Sequence, residues 1–127
     1  MKKERFVIEY IFDKASKKNL GVHLTTPSGL AEWFADEVIA NGNTFEFTWD
    51  KQMLEAERIA SVPDQLIQFR WMGEDDPEAY FGLRLHTNEL TGALMLEITD
   101  FAEPSELESA ISLWETQVKV LRRKLGL

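Results

Sequence analysis

The chemistry open to this 127-residue chain is limited from the start by its 2 His and absence of Cys. Without thiols there is no thiolate metal site, cysteine nucleophile or disulfide framework. His23 and His86 fall on different elements, with no partner at metal-ligand spacing and no His-x-x-x-His pair. Neither a Gly-x-Ser-x-Gly elbow nor a P-loop occurs. The acidic run Glu74-Asp75-Asp76-Pro77-Glu78 lacks the spaced carboxylates and glycine of a calcium loop and reads as a solvated turn. Glu55 and Glu57 share a strand face, an arrangement that would suit paired-carboxylate acid–base work. Strand pairing, however, sets Glu57 opposite Arg70, which makes this an outer charged surface. The expectation is a protein with no metal, no cofactor and no catalytic residues.

Apolar recognition remains. Phe47, Trp49, Phe69, Trp71, Phe81 and Trp114 form an aromatic set that either lines a pocket or packs as ordinary core. Trp33 and Phe34 on a short helix, with Leu83 and Leu96 on later strands, extend the candidate lining. Arg58 is the oddity, because its register points it at the apolar face beside Phe69. A buried cation needs a partner. It is an anchor for a ligand carboxylate or phosphate, a side chain snorkelling at the sheet rim, or half of an internal ion pair.

These residues have to be positioned by regular elements. Phe6, Ile8, Tyr10 and Phe12 alternate with Val7, Glu9 and Ile11, which predicts a strand with one aromatic face. Helical spacing covers about Ser16–Leu24. Thr26 then caps a second short helix, with Pro27 at its first position and Leu30, Trp33 and Phe34 on one face. From Glu37 the period becomes two, and Asn41-Gly42 signals a hairpin. Phe45, Phe47 and Trp49 alternate next. A long run over Gln52–Val62 turns at Pro63-Asp64 and returns over Leu66–Met72.

Pairing across that turn sets Ala56 by Trp71, Glu57 by Arg70, Arg58 by Phe69 and Ala60 by Ile67. The following run, Tyr80–His86, then pairs Phe81 with Trp71, Leu83 with Phe69 and Leu85 with Ile67. Leu94, Leu96 and Ile98 extend the same rows. Last, Ser105 and Glu108 read as a capping box. It opens a helix with the stripe Leu107, Ala110, Ile111, Trp114, Val118, Leu121 and Leu125. About 20 residues at ~1.5 Å each reach ~30 Å, enough to cross a sheet.

The order is therefore one strand, two short helices, a meander of about six strands and one long helix, an α+β architecture over residues 1–127. An antiparallel sheet with one apolar face must be covered, and only the terminal helix is long enough. A wedge is left between them, filled or hollow. The net charge of −8 argues against nucleic acid, whose phosphates recruit Lys and Arg. Glu9 and Asp13 break the apolar stretch behind the basic start, so no export signal is expected, and no apolar run suits membrane insertion. A cytoplasmic location follows.

The segment Thr25-Thr26-Pro27-Ser28-Gly29-Leu30-Ala31-Glu32-Trp33-Phe34 resembles the T-x-P-x-G-L-x-x-W-W/F helix of START-like, helix-grip (SRPBCC) domains. Within them, the Pro63–Met72 strand after a proline turn and the Leu113-Trp114 helix with its basic end resemble bacterial relatives of the activator of the heat-shock chaperone ATPase. The resemblance implies a curved sheet wrapped around the C-terminal helix, with a cavity between them for a small apolar or amphipathic molecule. It also implies an alternative, a protein-interaction module, chaperone-linked by analogy. It brings no common catalytic residue, and an enzyme is the least favoured reading.

Overall fold

The computed structural model describes residues 2–127; Met1 lies outside the described residues. Chain order is β1 (Glu4–Ile11), α1 (Lys17–Thr25), α2 (Pro27–Trp33), β2 (Glu37–Asn41), β3 (Thr44–Trp49), β4 (Gln52–Val62), β5 (Leu66–Trp71), β6 (Phe81–Thr87), β7 (Leu94–Ala102), a 3-10 turn at Pro104–Glu106 and α3 (Leu107–Lys124). The strands form one antiparallel sheet in the order β1-β7-β6-β5-β4-β3-β2. β2 to β7 are thus a meander of six, and β1 closes the sheet by pairing with β7 from Glu4↔Ala102 to Ile11↔Met95. The α1–α2 segment carries the chain from β1 at one edge to β2 at the other. No helix among the described residues is long and apolar enough to cross a membrane.

One face of the sheet is apolar because each strand alternates. Phe45 and Phe47, Ile67 and Phe69, Phe81 and Leu83, and Leu96 and Ile98 all point inward and are almost fully buried. α3 covers this face with Trp114, Val118 and Leu121. Its basic last turn, Arg122, Arg123 and Lys124, complements the negative end of the helix dipole.

The two short helices are set by local chemistry. Ser16 caps α1 through Asn19 N, and Thr26 caps α2 through Gly29 N with Pro27 in the first turn. Two glycines allow close packing of backbone on backbone. A Cβ at Gly21 would meet Asp64 O at 2.5 Å, and one at Gly29 would overlap Val22 O and lie 2.6 Å from His23 Cα. Gly21 thereby seats α1 on the β4–β5 turn, and Gly29 seats α2 on α1.

Four sequence expectations need correction. Ala56↔Trp71, Glu57↔Arg70 and Arg58↔Phe69 pair as expected, but a bulge at Ile59 then sets Ala60 beside Gln68 and Ser61 beside Ile67. An extra residue on one strand shifts everything beyond it by one, and the bend it makes curves the long β4. β6 slips two residues along β5, with Phe81 by Phe69 and Leu83 by Ile67. A two-residue slip keeps every side chain on its face, so apolar alternation does not exclude it. Arg70 does not spend its charge on Glu57. Its guanidinium donates to the carbonyls of Asp76 and Ala79 at 2.8 Å, Pro77 at 3.1 Å and Glu74 at 3.4 Å, tying down the loop before β6. The Ser105–Glu108 capping box does not form: Pro104 starts a 3-10 turn, Ser105 lies inside it, and the helix cap at Glu106 has no side-chain hydrogen bond.

Candidate functional site

Much of the wedge between sheet and α3 is filled by rings. Phe34, at the C-terminal cap of α2 and 4% exposed, stacks on Phe81 at 5.4 Å and Trp114 at 5.7 Å and meets Phe47 edge-on at 5.1 Å. Farther in, Phe45, Phe47 and Phe69 contact one another, with centroids 4.8–6.0 Å apart. The Phe34 carbonyl ties three elements together. It accepts from Trp49 Nε1 of β3 at 2.7 Å and Gln117 Nε2 of α3 at 2.9 Å, while belonging to the end of α2. Trp33 Nε1 donates to His23 O at 2.9 Å, locking α2 to α1.

Outside this plug the wedge opens as a cleft of about 920 Å³, bounded by α2, α3 and the ends of β3, β5 and β6. The chain's 4 Trp all reach it. Trp49 and Trp71 are half-buried walls with rings 6.1 Å apart, and Trp33 and Trp114 are buried behind them. Part of the rim is apolar as well: Leu113 of α3 is 62% exposed and Leu54 of β4 is 42% exposed.

Among the sequence candidates, Trp33, Phe34, Trp49, Trp71, Phe81 and Trp114 come together around this cleft. Phe47, Phe69, Leu83 and Leu96 lie in the packed interior instead. Arg58 is elsewhere, on β4 against the β2–β3 hairpin turn. Its Nε and one terminal nitrogen donate to Asn43 Oδ1 at 3.1 and 3.0 Å, and its guanidinium sits 5.5 Å from the Phe45 ring centre. This is the rim placement, with an amide and a ring as its partners.

Sequence reading passed over Asp100. Its carboxylate reaches the cleft, with Oδ2 accepting from Trp114 Nε1 at 2.8 Å and Oδ1 from Phe101 N at 2.8 Å. Burial raises its pKa above the ordinary aspartate value, against the lowering effect of those two donors. The signal was available, because Asp100 continues the inward row Leu94, Leu96, Ile98 by one more step of two. At the mouth, Lys124 Nζ lies 3.7 Å from Glu32 Oε2, and Asp36 accepts from Asp50 N at 2.6 Å.

The histidines stand apart from the cleft. His23 Nδ1 is 2.8 Å from Asn19 O on its own helix. On the outer sheet face, His86, Glu9 and Glu97 bring ligand-type atoms within 4.8 Å of one another, across strands where sequence spacing is blind. Arg84, however, donates to both Glu97 oxygens at 3.2 and 3.1 Å and holds that carboxyl below its ordinary pKa. With Glu97 committed to Arg84, and His86 Nε2 2.8 Å from Glu9, the group reads as a cross-strand polar ladder built on the Arg84–Glu97 ion pair.

The fold agrees with comparisons to known proteins. Among curated proteins none matches. Among solved structures, a Bacteroides fragilis protein studied by solution NMR is 36% identical over 98% of this chain and 92% of its own, with a TM-score of 0.67. A Mesorhizobium loti protein has a TM-score of 0.75 at 18% identity, covering 97% of each chain. The Aha1 dimer of Colwellia psychrerythraea has a TM-score of 0.70 at 18% identity, covering 98% of this chain and 96% of that one, a likeness of fold. The family profile described as the START-like superfamily domain matches residues 1–127, and the chain belongs to that superfamily.

Proposed function

We propose that this START-like domain binds a small apolar or amphipathic molecule in the cleft between the sheet and α3, as a carrier or sensor rather than an enzyme. The observation that carries this reading is the convergence of all four tryptophans on one open cleft with a partly apolar rim. Exposed Leu113 and half-buried Trp49 and Trp71 leave apolar surface in water, which a ligand would cover. Covering ~200 Å² of it would contribute about 5 kcal/mol before the costs of association. A volume near 920 Å³ lies at the upper end of small-molecule sites, which run to about 1,000 Å³. A non-catalytic role is supported by the polar groups at the cleft, since Asp36 and Gln117 are each engaged in hydrogen bonds that hold the fold.

The test is native mass spectrometry of gently purified protein, with thermal shifts and tryptophan fluorescence against fatty acids, sterols and aromatic metabolites. A retained small molecule, or a saturable shift lost in Trp71→Ala, is the expected result. Protein that is consistently empty and indifferent to every class would overturn the reading.

A further inference from the structure

The cleft has a charge as well as a shape. Its ionisable lining consists of three acids, Glu32, Asp36 and Asp100, against one base, Lys124. Lys124 is spent on Glu32 at the mouth. Asp36 sits at the edge and caps the turn at Asp50. Asp100 is different: it is half-buried, and the rings of Trp71, Phe81 and Trp114 line the cleft with it. Its two oxygens accept one hydrogen bond each, from Trp114 and Phe101, which leaves acceptor capacity on a carboxylate that has about four lone-pair sites. Behind it, a recess of about 130 Å³ brings Lys3, Glu74 and Tyr80 close to the same carboxylate. Lys3 is turned to Glu74, with Nζ 2.6 Å from Oε1, so the nearest ammonium is already paired.

Asp100 takes the N–H edge of Trp114 and shares the cleft with Trp49 and Trp71, and a carboxylate in an indole-lined cleft is a site for positive charge. Ring faces are negative, so tryptophans attract a cation and repel an anion, and the carboxylate adds a full charge to that preference. We propose that the cleft selects amphipathic molecules bearing a cationic nitrogen, with the apolar or aromatic body against Trp49, Trp71 and Leu113 and the cation at Asp100. This rests on the ligand-binding reading above and specifies its chemistry. Fatty acids and other anionic amphiphiles are disfavoured by the same charges. Burial raises the Asp100 pKa, and an arriving cation would draw it back down, so binding and deprotonation of Asp100 support each other.

The experiment is calorimetric titration of the protein with three probes of one shape: 4-phenylbutyltrimethylammonium, 4-phenylbutanol and 4-phenylbutyrate. The ammonium is expected to bind about tenfold tighter than the alcohol, equivalent to about 1.4 kcal/mol, and the carboxylate weakest. Asp100→Asn should bring the ammonium down to the alcohol's affinity and leave the alcohol unchanged. The wild-type protein gives an independent check, because ammonium affinity should fall as pH is lowered towards Asp100 protonation while alcohol affinity stays level. Glu32→Gln and Asp36→Asn should each cost the ammonium less than Asp100→Asn does. Equal binding of ammonium and alcohol, tightest binding of the carboxylate, or an ammonium preference that survives Asp100→Asn would each overturn the proposal while the cleft remains a ligand site. Binding of none of the three would remove the ligand-binding reading itself.

Discussion

Replacing Gly29 by alanine tests whether the α1–α2 contact sets the fold of this region. In a helix, alanine is favoured over glycine by about 1 kcal/mol, so propensity alone predicts a gain. The structure predicts the reverse. The new methyl would overlap Val22 O and lie 2.6 Å from His23 Cα and 2.9 Å from Thr26 Oγ1. Two of these three atoms are backbone, so no rotamer change relieves the contact, and α2 has to move away from α1. Overpacking costs about 1–3 kcal/mol, and the withdrawal endangers two hydrogen bonds worth about 1 kcal/mol each. Those are the Thr26 cap on Gly29 N and the Trp33 indole on His23 O. Set against the propensity gain, the net loss is about 2–4 kcal/mol. Urea unfolding followed by tryptophan fluorescence and by circular dichroism measures it directly. In a chain of this size the thermal midpoint should drop by roughly 10 °C. Ser28→Ala, one residue earlier on the exposed side of α2, should stay within about 0.5 kcal/mol. A Gly29→Ala protein as stable as wild type or more so, with unaltered tryptophan emission, would refute the close-packing argument.

Three further outcomes are expected. Asp100 has a raised pKa in the folded protein, so its contribution to stability is fully present below the unfolded aspartate value of about 3.9 and is lost as pH rises through the folded value. The urea-midpoint difference between wild type and Asp100→Asn should therefore move against wild type over that window, and a difference flat in pH would contradict it. Arg70→Lys should destabilise by about 1–3 kcal/mol and speed hydrogen exchange in residues 73–80, because a lone ammonium does not span the four carbonyls held by the guanidinium. Glu57→Gln should have almost no effect on either readout. The Tyr10 hydroxyl is buried with no hydrogen-bond partner among the described residues, so Tyr10→Phe should be neutral or stabilising by up to about 1 kcal/mol in urea unfolding; a loss of that size would reveal a hidden partner.

The sequence was legible wherever one physical rule acted alone. Alternation placed Phe45, Phe47, Phe69 and Phe81 on the inner face, and the 3.6-residue stripe gave α3 its buried Trp114, Val118 and Leu121. Legibility failed where two arrangements satisfied the same rule. The two-residue slip of β6 keeps its alternation intact, and the loop that fixes it is held by Arg70, whose ring of carbonyls leaves no mark in side-chain pattern. The Ser105–Glu108 box has the right residues, but Pro104 ahead of it starts a 3-10 turn first. The cleft was half visible. Its aromatic walls follow from alternation, whereas Leu113, Gln117 and Lys124 lie off the buried stripe and read as solvent-facing. They become lining because the end of α2 packs against that side of α3, with the Phe34 carbonyl on Gln117 and its ring on Trp114.

That last point links the family segment to the site. Thr26, Pro27 and Gly29 carry no ligand chemistry, yet they fix where α2 ends and therefore where Phe34 enters the wedge. Once there, its ring fills the space between Phe47, Phe81 and Trp114, and its carbonyl fastens Trp49 and Gln117. The inner wedge becomes ordinary core and the outer wedge stays open, with Asp100 near the boundary. A START-like domain can thus hold the same helix–sheet frame and still change the shape and charge of its cleft. A smaller side chain at position 34 would extend the cleft towards the packed phenylalanines, and a different residue at position 100 would reset the charge met beside Trp114. If the cleft binds as proposed, its selectivity would reside in those two places, one set by packing and the other by a single carboxylate in an apolar row.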